Sequence, residues 1–88
     1  MSIYLETILR KMCEFVGVDF DTINFKDEDW YLQQSWTAEQ EEEFRLWMIG
    51  YLKRNKKARV VLYGNSVLNL EKQVNSFIFN YGWKKDNE

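Results

Sequence analysis

With 88 residues, 12 basic and 14 acidic side chains and a net charge of −2, the chain has room for one domain. It has no charge excess for gripping nucleic acid with its whole surface or for mimicking a polyanion. Histidine is absent, which removes the commonest general base, the usual catalytic triads and most zinc and iron sites; the composition argues for a non-enzymatic protein with no metal or cofactor.

Residues 3–16 carry Leu5, Ile8, Leu9, Met12, Phe15 and Val16 at the i, i+3, i+4, i+7 spacing of an amphipathic helix. Ser2 is placed to cap its start and Gly17 to end it in the left-handed conformation, with Glu6, Arg10 and Lys11 on the solvent side. Cys13 lies beside the apolar stripe. As the lone cysteine it forms no intrachain disulfide, which points to a reducing cytoplasm. With no histidine to activate it, it reads as a buried, inert thiol. Residues 1–6 show neither the basic segment nor the apolar run of a signal peptide.

Residues 18–35 lose the helical period. Val18, Phe20, Ile23, Phe25, Trp30, Tyr31 and Leu32 alternate irregularly with Asp19, Asp21, Asn24, Asp27, Glu28 and Asp29. This predicts a long ordered loop, aromatic and acidic, containing a helical turn or a short extended piece and pinned across the helices by its rings.

The segment 38–54 predicts the central helix. Thr37 is its N-cap and Gln40 completes a capping box, while Glu39, Glu41, Glu42 and Glu43 oppose the positive end of the helix dipole. Phe44, Trp47, Met48, Tyr51 and Leu52 form the main apolar face, and Leu46 and Ile49 a second one, so the helix is expected to be buried on two sides. Gly50 costs about 1 kcal/mol relative to alanine in a helix interior; it is expected where another helix or a ring comes close. Leu46 to Leu52 is also the longest nearly uncharged apolar run, far short of the roughly 20 residues needed to span a bilayer.

In residues 53–63, Val60, Val61 and Tyr63 suit a strand, but the short connections and helical surroundings favour a short helix. Gly64-Asn65 marks a turn, with Asn65 or Ser66 placed to cap the next helix. Val67, Leu70, Val74, Phe77, Ile78 and Tyr81 predict that helix over 67–81, stopped by Gly82, with Trp83 folded back onto its last turn. The expectation is an all-α fold: a small bundle of three main helices plus one short helix, with the long aromatic and acidic loop. It forms one helical domain over residues 1–83, followed by a frayed tail over 84–88.

Two stretches are candidate sites. Trp30 and Tyr31 beside Asp27, Glu28 and Asp29 form an aromatic, acidic patch of the kind that anchors protein partners. The spacing of the three acids does not match a calcium loop, which needs a central glycine and a closing glutamate. Lys53, Arg54, Lys56, Lys57 and Arg59 form a basic run. It suits a helix C-terminus, where cations meet the negative dipole end, and it also suits docking on phosphates. A helix-turn-helix arrangement, with 56–63 as first helix and 66–80 as recognition helix, is a further reading of that run, although Glu71, Lys72, Gln73, Asn75 and Ser76 make a face that is not especially basic. The acidic start and basic end of the central helix give a dipolar surface, suited to steering a partner or to head-to-tail self-association.

Trp36-Thr37-Ala38-Glu39-Gln40-Glu41-Glu42-Glu43-Phe44, the helix to Leu52, Lys53-Arg54-Asn55-Lys56-Lys57-Ala58-Arg59 and Phe79-Asn80-Tyr81-Gly82-Trp83-Lys84 together resemble small proteins encoded by tailed phages and prophages, over roughly residues 30–84. The resemblance implies a phage setting and a helical fold; it carries no activity, cofactor or catalytic residue. The expected function is that of a non-enzymatic, phage-like accessory protein in the host cytoplasm that binds a protein partner and modulates a host process or defence system. The alternatives are nucleic-acid binding through residues 53–59 and a self-assembling, virion-associated role.

Overall fold

Ser2 and Gly17 bracket the first helix as predicted. The Ser2 hydroxyl accepts the Leu5 N–H at 3.1 Å, and Gly17 ends the helix with φ 75°, a left-handed conformation that glycine adopts without steric cost. This helix, α1 (Ile3–Val16), buries Ile8, Leu9, Met12 and Cys13. Arg10 is exposed as expected and pairs with Glu6 at 3.0 Å. Lys11 is not on the open solvent side: it is half-buried, its ammonium 5.6 Å from the Trp47 ring centroid, because its aliphatic stem covers apolar surface.

The computed structural model describes residues 1–86; among them lie four α-helices and one two-stranded parallel sheet, an all-α fold. The loop after α1 is ordered by two 3-10 turns, Phe20–Thr22 and Trp30–Leu32. Gln33 closes it from within, accepting the Asn24 N–H and donating to the Asn24 carbonyl, both at 3.0 Å. Its rings stack inward: Phe25 lies 5.6 Å from Trp83, and Trp30 lies 5.4 Å from Tyr81 at an interplanar angle of 14°.

The central helix is α2 (Ala38–Arg54). Its capping box is formed on both sides: the Gln40 N–H donates to Thr37 Oγ1 at 3.0 Å, and the Thr37 N–H donates to Gln40 Oε1 at 2.8 Å. Gln40 also donates to the Phe15 carbonyl at 3.2 Å, which ties the start of α2 to the end of α1. Phe44, Met48 and Leu52 are buried, one turn apart. Phe44 sits at the middle of the core, with its ring centroid 6.3 Å from Phe15, 5.6 Å from Trp36 and 6.2 Å from Phe77. Rings from α1, from the loop end and from the last helix therefore meet on one side chain.

Burial of α2 on two full sides is not what the structure shows. Leu46 is 62% exposed, since no element crosses that flank. Glu41, expected among solvated acids at the helix start, is buried instead; it accepts from Arg45 Nη2 at 3.0 Å and lies 3.5 Å from Lys85 Nζ. Arg45 also pairs with Glu42 and donates through Nε to Asn75 Oδ1 at 2.8 Å, bridging α2 to the last helix. Burial works against the Arg45 charge, but the hydrogen bonds to Glu41 and Glu42 outweigh it and hold its pKa above the ordinary value. Gly50 faces neither a helix nor a ring: the atoms nearest a Cβ placed there all belong to the flexible Arg54 side chain.

Asn55 turns the chain between α2 and α3 (Lys56–Tyr63), its side chain accepting the Ala58 N–H at 3.3 Å. The helical reading of this ambiguous segment holds. The last helix, α4 (Leu70–Tyr81), starts later than its apolar spacing implied, because Asn69 is the cap, accepting the Lys72 N–H at 2.9 Å. Ser66 instead accepts the Leu68 N–H in a local turn at 3.2 Å, and Val67 is fully exposed. Residues 64–69 thus form a longer connection than a helix-turn-helix uses, and the recognition-helix reading does not fit.

Gly82 ends α4 with φ −67° and ψ 155°, not left-handed; its need is space, since a Cβ there would lie 2.4 Å from the Ile78 carbonyl oxygen and 3.1 Å from Trp36 Cζ2. Trp83 plugs the core as expected. The segment after it is not frayed at its start: Lys84–Lys85 (β2) pairs in parallel with Ser35–Trp36 (β1), and the Asp86 N–H donates to the Trp36 carbonyl at 3.0 Å. Asn87 and Glu88, the rest of the expected tail, lie outside the described residues.

Candidate interaction surface

The loop patch divides. Asp27, Glu28 and Asp29 are exposed, and Asp27 accepts the Asp29 N–H at 3.0 Å, so at least one of these carboxylates shapes the turn itself. Trp30 turns away from solvent. It is half-buried, stacks on Tyr81 and donates its indole N–H to the Tyr81 carbonyl at 3.3 Å, fastening the loop to α4. Trp30 is thus not the exposed anchor expected from the sequence: stacking and a backbone acceptor outcompete water for its ring. Tyr31 and the neighbouring Leu32 remain exposed.

The basic run is bent at Asn55. Lys53 and Arg54 end α2, Lys56 and Lys57 begin α3, and these four are exposed with no carboxylate partner among the described residues. Arg59 is different: it is half-buried and donates through Nε to Gln73 Oε1 at 2.8 Å.

A further surface adjoins these cations. On α3, Lys56, Lys57, Val60 and Val61 all face out at helical i, i+4 spacing, and Val67 and Leu68 come next in the connection to α4. Val60 is 61% exposed and Val61 50%. Helix propensity does not call for two valines there, because β-branched side chains lose rotamer freedom in a helix. The sequence offered one signal: a helix this short, with Ala58 and half-buried Leu62 and Tyr63 turned inward, leaves the valines the outer face.

Behind α3, Tyr63 donates its hydroxyl to the Gln73 carbonyl at 3.1 Å. Burial, with Tyr81 adding to it, pushes its phenol up to about 12. Cys13 is buried in the core, where desolvation outweighs the favourable charge of Arg10 and raises its thiol to about 11. That environment suppresses the thiolate a nucleophile needs. The indole Nε1 atoms of Trp36 and Trp83 are buried without a hydrogen-bond acceptor. Among the described residues no helix is long and apolar enough to cross a membrane. No protein family, curated protein or solved structure matches the chain.

Proposed function

We propose that the chain is a non-enzymatic interaction module that docks a protein partner on the outer face of α3 and the connection after it. The observation that carries this reading is the exposed apolar surface Val60, Val61, Val67 and Leu68 bordered by the unpaired cations Lys56 and Lys57. Apolar groups gathered in this way mark contact surfaces on small proteins, and the flanking charge selects a partner that is apolar with an acidic rim. Tyr31 and Leu32 beside Asp27, Glu28 and Asp29 form a smaller patch of opposite charge. The resemblance to tailed-phage proteins supports a host protein as the partner, engaged stoichiometrically to modulate a host process or a defence system.

A second reading, nucleic-acid binding, draws on the four exposed cations around Asn55. One experiment separates the two: affinity capture from source-cell lysate, with and without nuclease, comparing the wild-type chain with V60S/V61S and with K56E/K57E. The expected result is a protein held by wild type, released by V60S/V61S and indifferent to nuclease. Retention that nuclease abolishes and V60S/V61S leaves intact overturns the protein-docking reading. Steep loss of heparin retention with salt, removed by K56E/K57E, is the signature of the second.

A further inference from the structure

The crevice where α3 meets the start of α4 offers a more specific chemistry than apolar contact. It is an open depression of about 380 Å³ lined by Lys56, Arg59, Val60, Gly64, Ser66 and Gln73, two cations and no carboxylate. Gln73 is 2% exposed, and its side chain makes one hydrogen bond, accepting Arg59 Nε–H. That bond holds the guanidinium across the gap and leaves its two terminal amines without a protein partner. Gln73 Nε2 has no acceptor in the protein and is open to an incoming one. Ser66 Oγ already accepts from the Leu68 N–H, so its own proton is free to be donated. Lys56 stands three residues before Arg59 on the same helix, a spacing at which like charges repel.

Every polar side chain lining the crevice thus presents a donor. Two of them are cations three residues apart on one helix, where like charges repel, and none is a carboxylate. An oxyanion seated between them offsets that repulsion and accepts from the free donors of Arg59 and Ser66. Val60 forms an apolar wall beside it. We propose that this crevice binds a carboxylate presented by the protein partner, with an apolar side chain of that partner resting on Val60. The proposal rests on the protein-docking reading and names the chemistry by which the partner is recognised.

The test uses the ¹⁵N-labelled full chain at low salt, titrated with 4-methylpentanoate, with its neutral amide and with inorganic phosphate. The signals followed are Arg59 Nε–Hε, the Gln73 side-chain amide and the Ser66 backbone amide. The carboxylate is expected to give saturable shifts confined to these groups, and the neutral amide none. K56Q and R59Q are each expected to weaken binding about tenfold, the size of one charge-assisted hydrogen bond. Arg59 also clasps α3 to α4, so K56Q, at an exposed position with no partner, is the variant that a loss of packing cannot explain. Two dipeptide probes, acetyl-Leu-Glu-amide and acetyl-Leu-Leu with a free C-terminus, distinguish a side-chain carboxylate from a chain end; tighter binding of either supports the site. An absent or unsaturable shift, an equal response to the neutral amide, or tighter binding of phosphate than of carboxylate overturns it. The titration needs no partner, so its failure is separate from a failure of the capture experiment.

Discussion

Gly50→Ala is expected to stabilise the protein. Gly50 lies inside α2, where replacing glycine by alanine removes backbone entropy from the unfolded chain and favours the helix by about 1 kcal/mol. What opposes this is crowding, and here it is slight. The new Cβ would meet Arg54 Nη1 at 2.9 Å and Arg54 Cζ at 3.7 Å, with Arg54 Nη2 the next nearest atom. Arg54 is exposed and makes no ion pair among the described residues, so its far end swings aside at the cost of a rotamer change. The net gain is about 0.5–1 kcal/mol, which for a domain of this size raises Tm by roughly 3–6 °C. Thermal and urea unfolding monitored by circular dichroism measure it. Gly82→Ala is the control of opposite sign: its Cβ would meet the Ile78 carbonyl oxygen, which is backbone and cannot swing away, so a loss of about 1–3 kcal/mol is expected. A Gly50→Ala protein that melts several degrees lower would refute the reasoning, since it would require a backbone or ring packed on the glycine.

The packing leads to three further outcomes. Glu41→Ala removes the acceptor that Arg45 and Lys85 share in a nearly buried position and is expected to cost about 1–2 kcal/mol in urea unfolding, whereas Glu42→Ala, at an exposed carboxylate, should cost less than about 0.5 kcal/mol. Alkaline pH should destabilise the fold through Cys13. Its thiol titrates near 11 when folded against 9.0 ordinarily, so the unfolded chain loses the proton first. The contribution is intact below pH 9 and is lost as pH rises towards 11, by about 2–3 kcal/mol. A pH–stability profile for Cys13→Ala that falls as steeply as wild type over that window contradicts this assignment. Trp30→Ala should lower stability by about 1.5–3 kcal/mol, because it removes a ring stack and a hydrogen bond, while Tyr31→Ala should stay within about 0.5 kcal/mol; equal effects on Tm would restore Trp30 to the surface.

Local chemistry determines much of this fold without help from tertiary contacts. Ser2, Thr37, Gln40 and Gly17 act on backbone groups a few residues away, so the ends of α1 and the start of α2 could be read directly from the chain. The identity of Phe44, Met48, Leu52, Val74 and Phe77 as core positions came from helical spacing. What depended on the packed structure was which of two equivalent local choices prevailed. Leu46 and Ile49 looked like a second buried face, but burial requires an element to cover it, and none covers Leu46. Asn65 and Ser66 are the caps expected for α4; the helix begins instead after Asn69, and Val67 is left in water. Glu41 looked like its neighbours Glu42 and Glu43, and only the approach of Lys85, carried there by the pairing of residues 84–85 with 35–36, distinguishes it. Trp30 looked like an exposed anchor until Tyr81, far along the chain, offered a ring and a carbonyl. The candidate site obeyed the same rule. Its cations are visible as a run, but the valines beside them, and the buried Gln73 that orients Arg59, acquire meaning only where hydrogen bonds from Arg59 and Tyr63 tie α3 to α4. Caps and periodicity are short-range interactions written in adjacent residues, whereas exposure and partnership are set by whichever distant surface arrives.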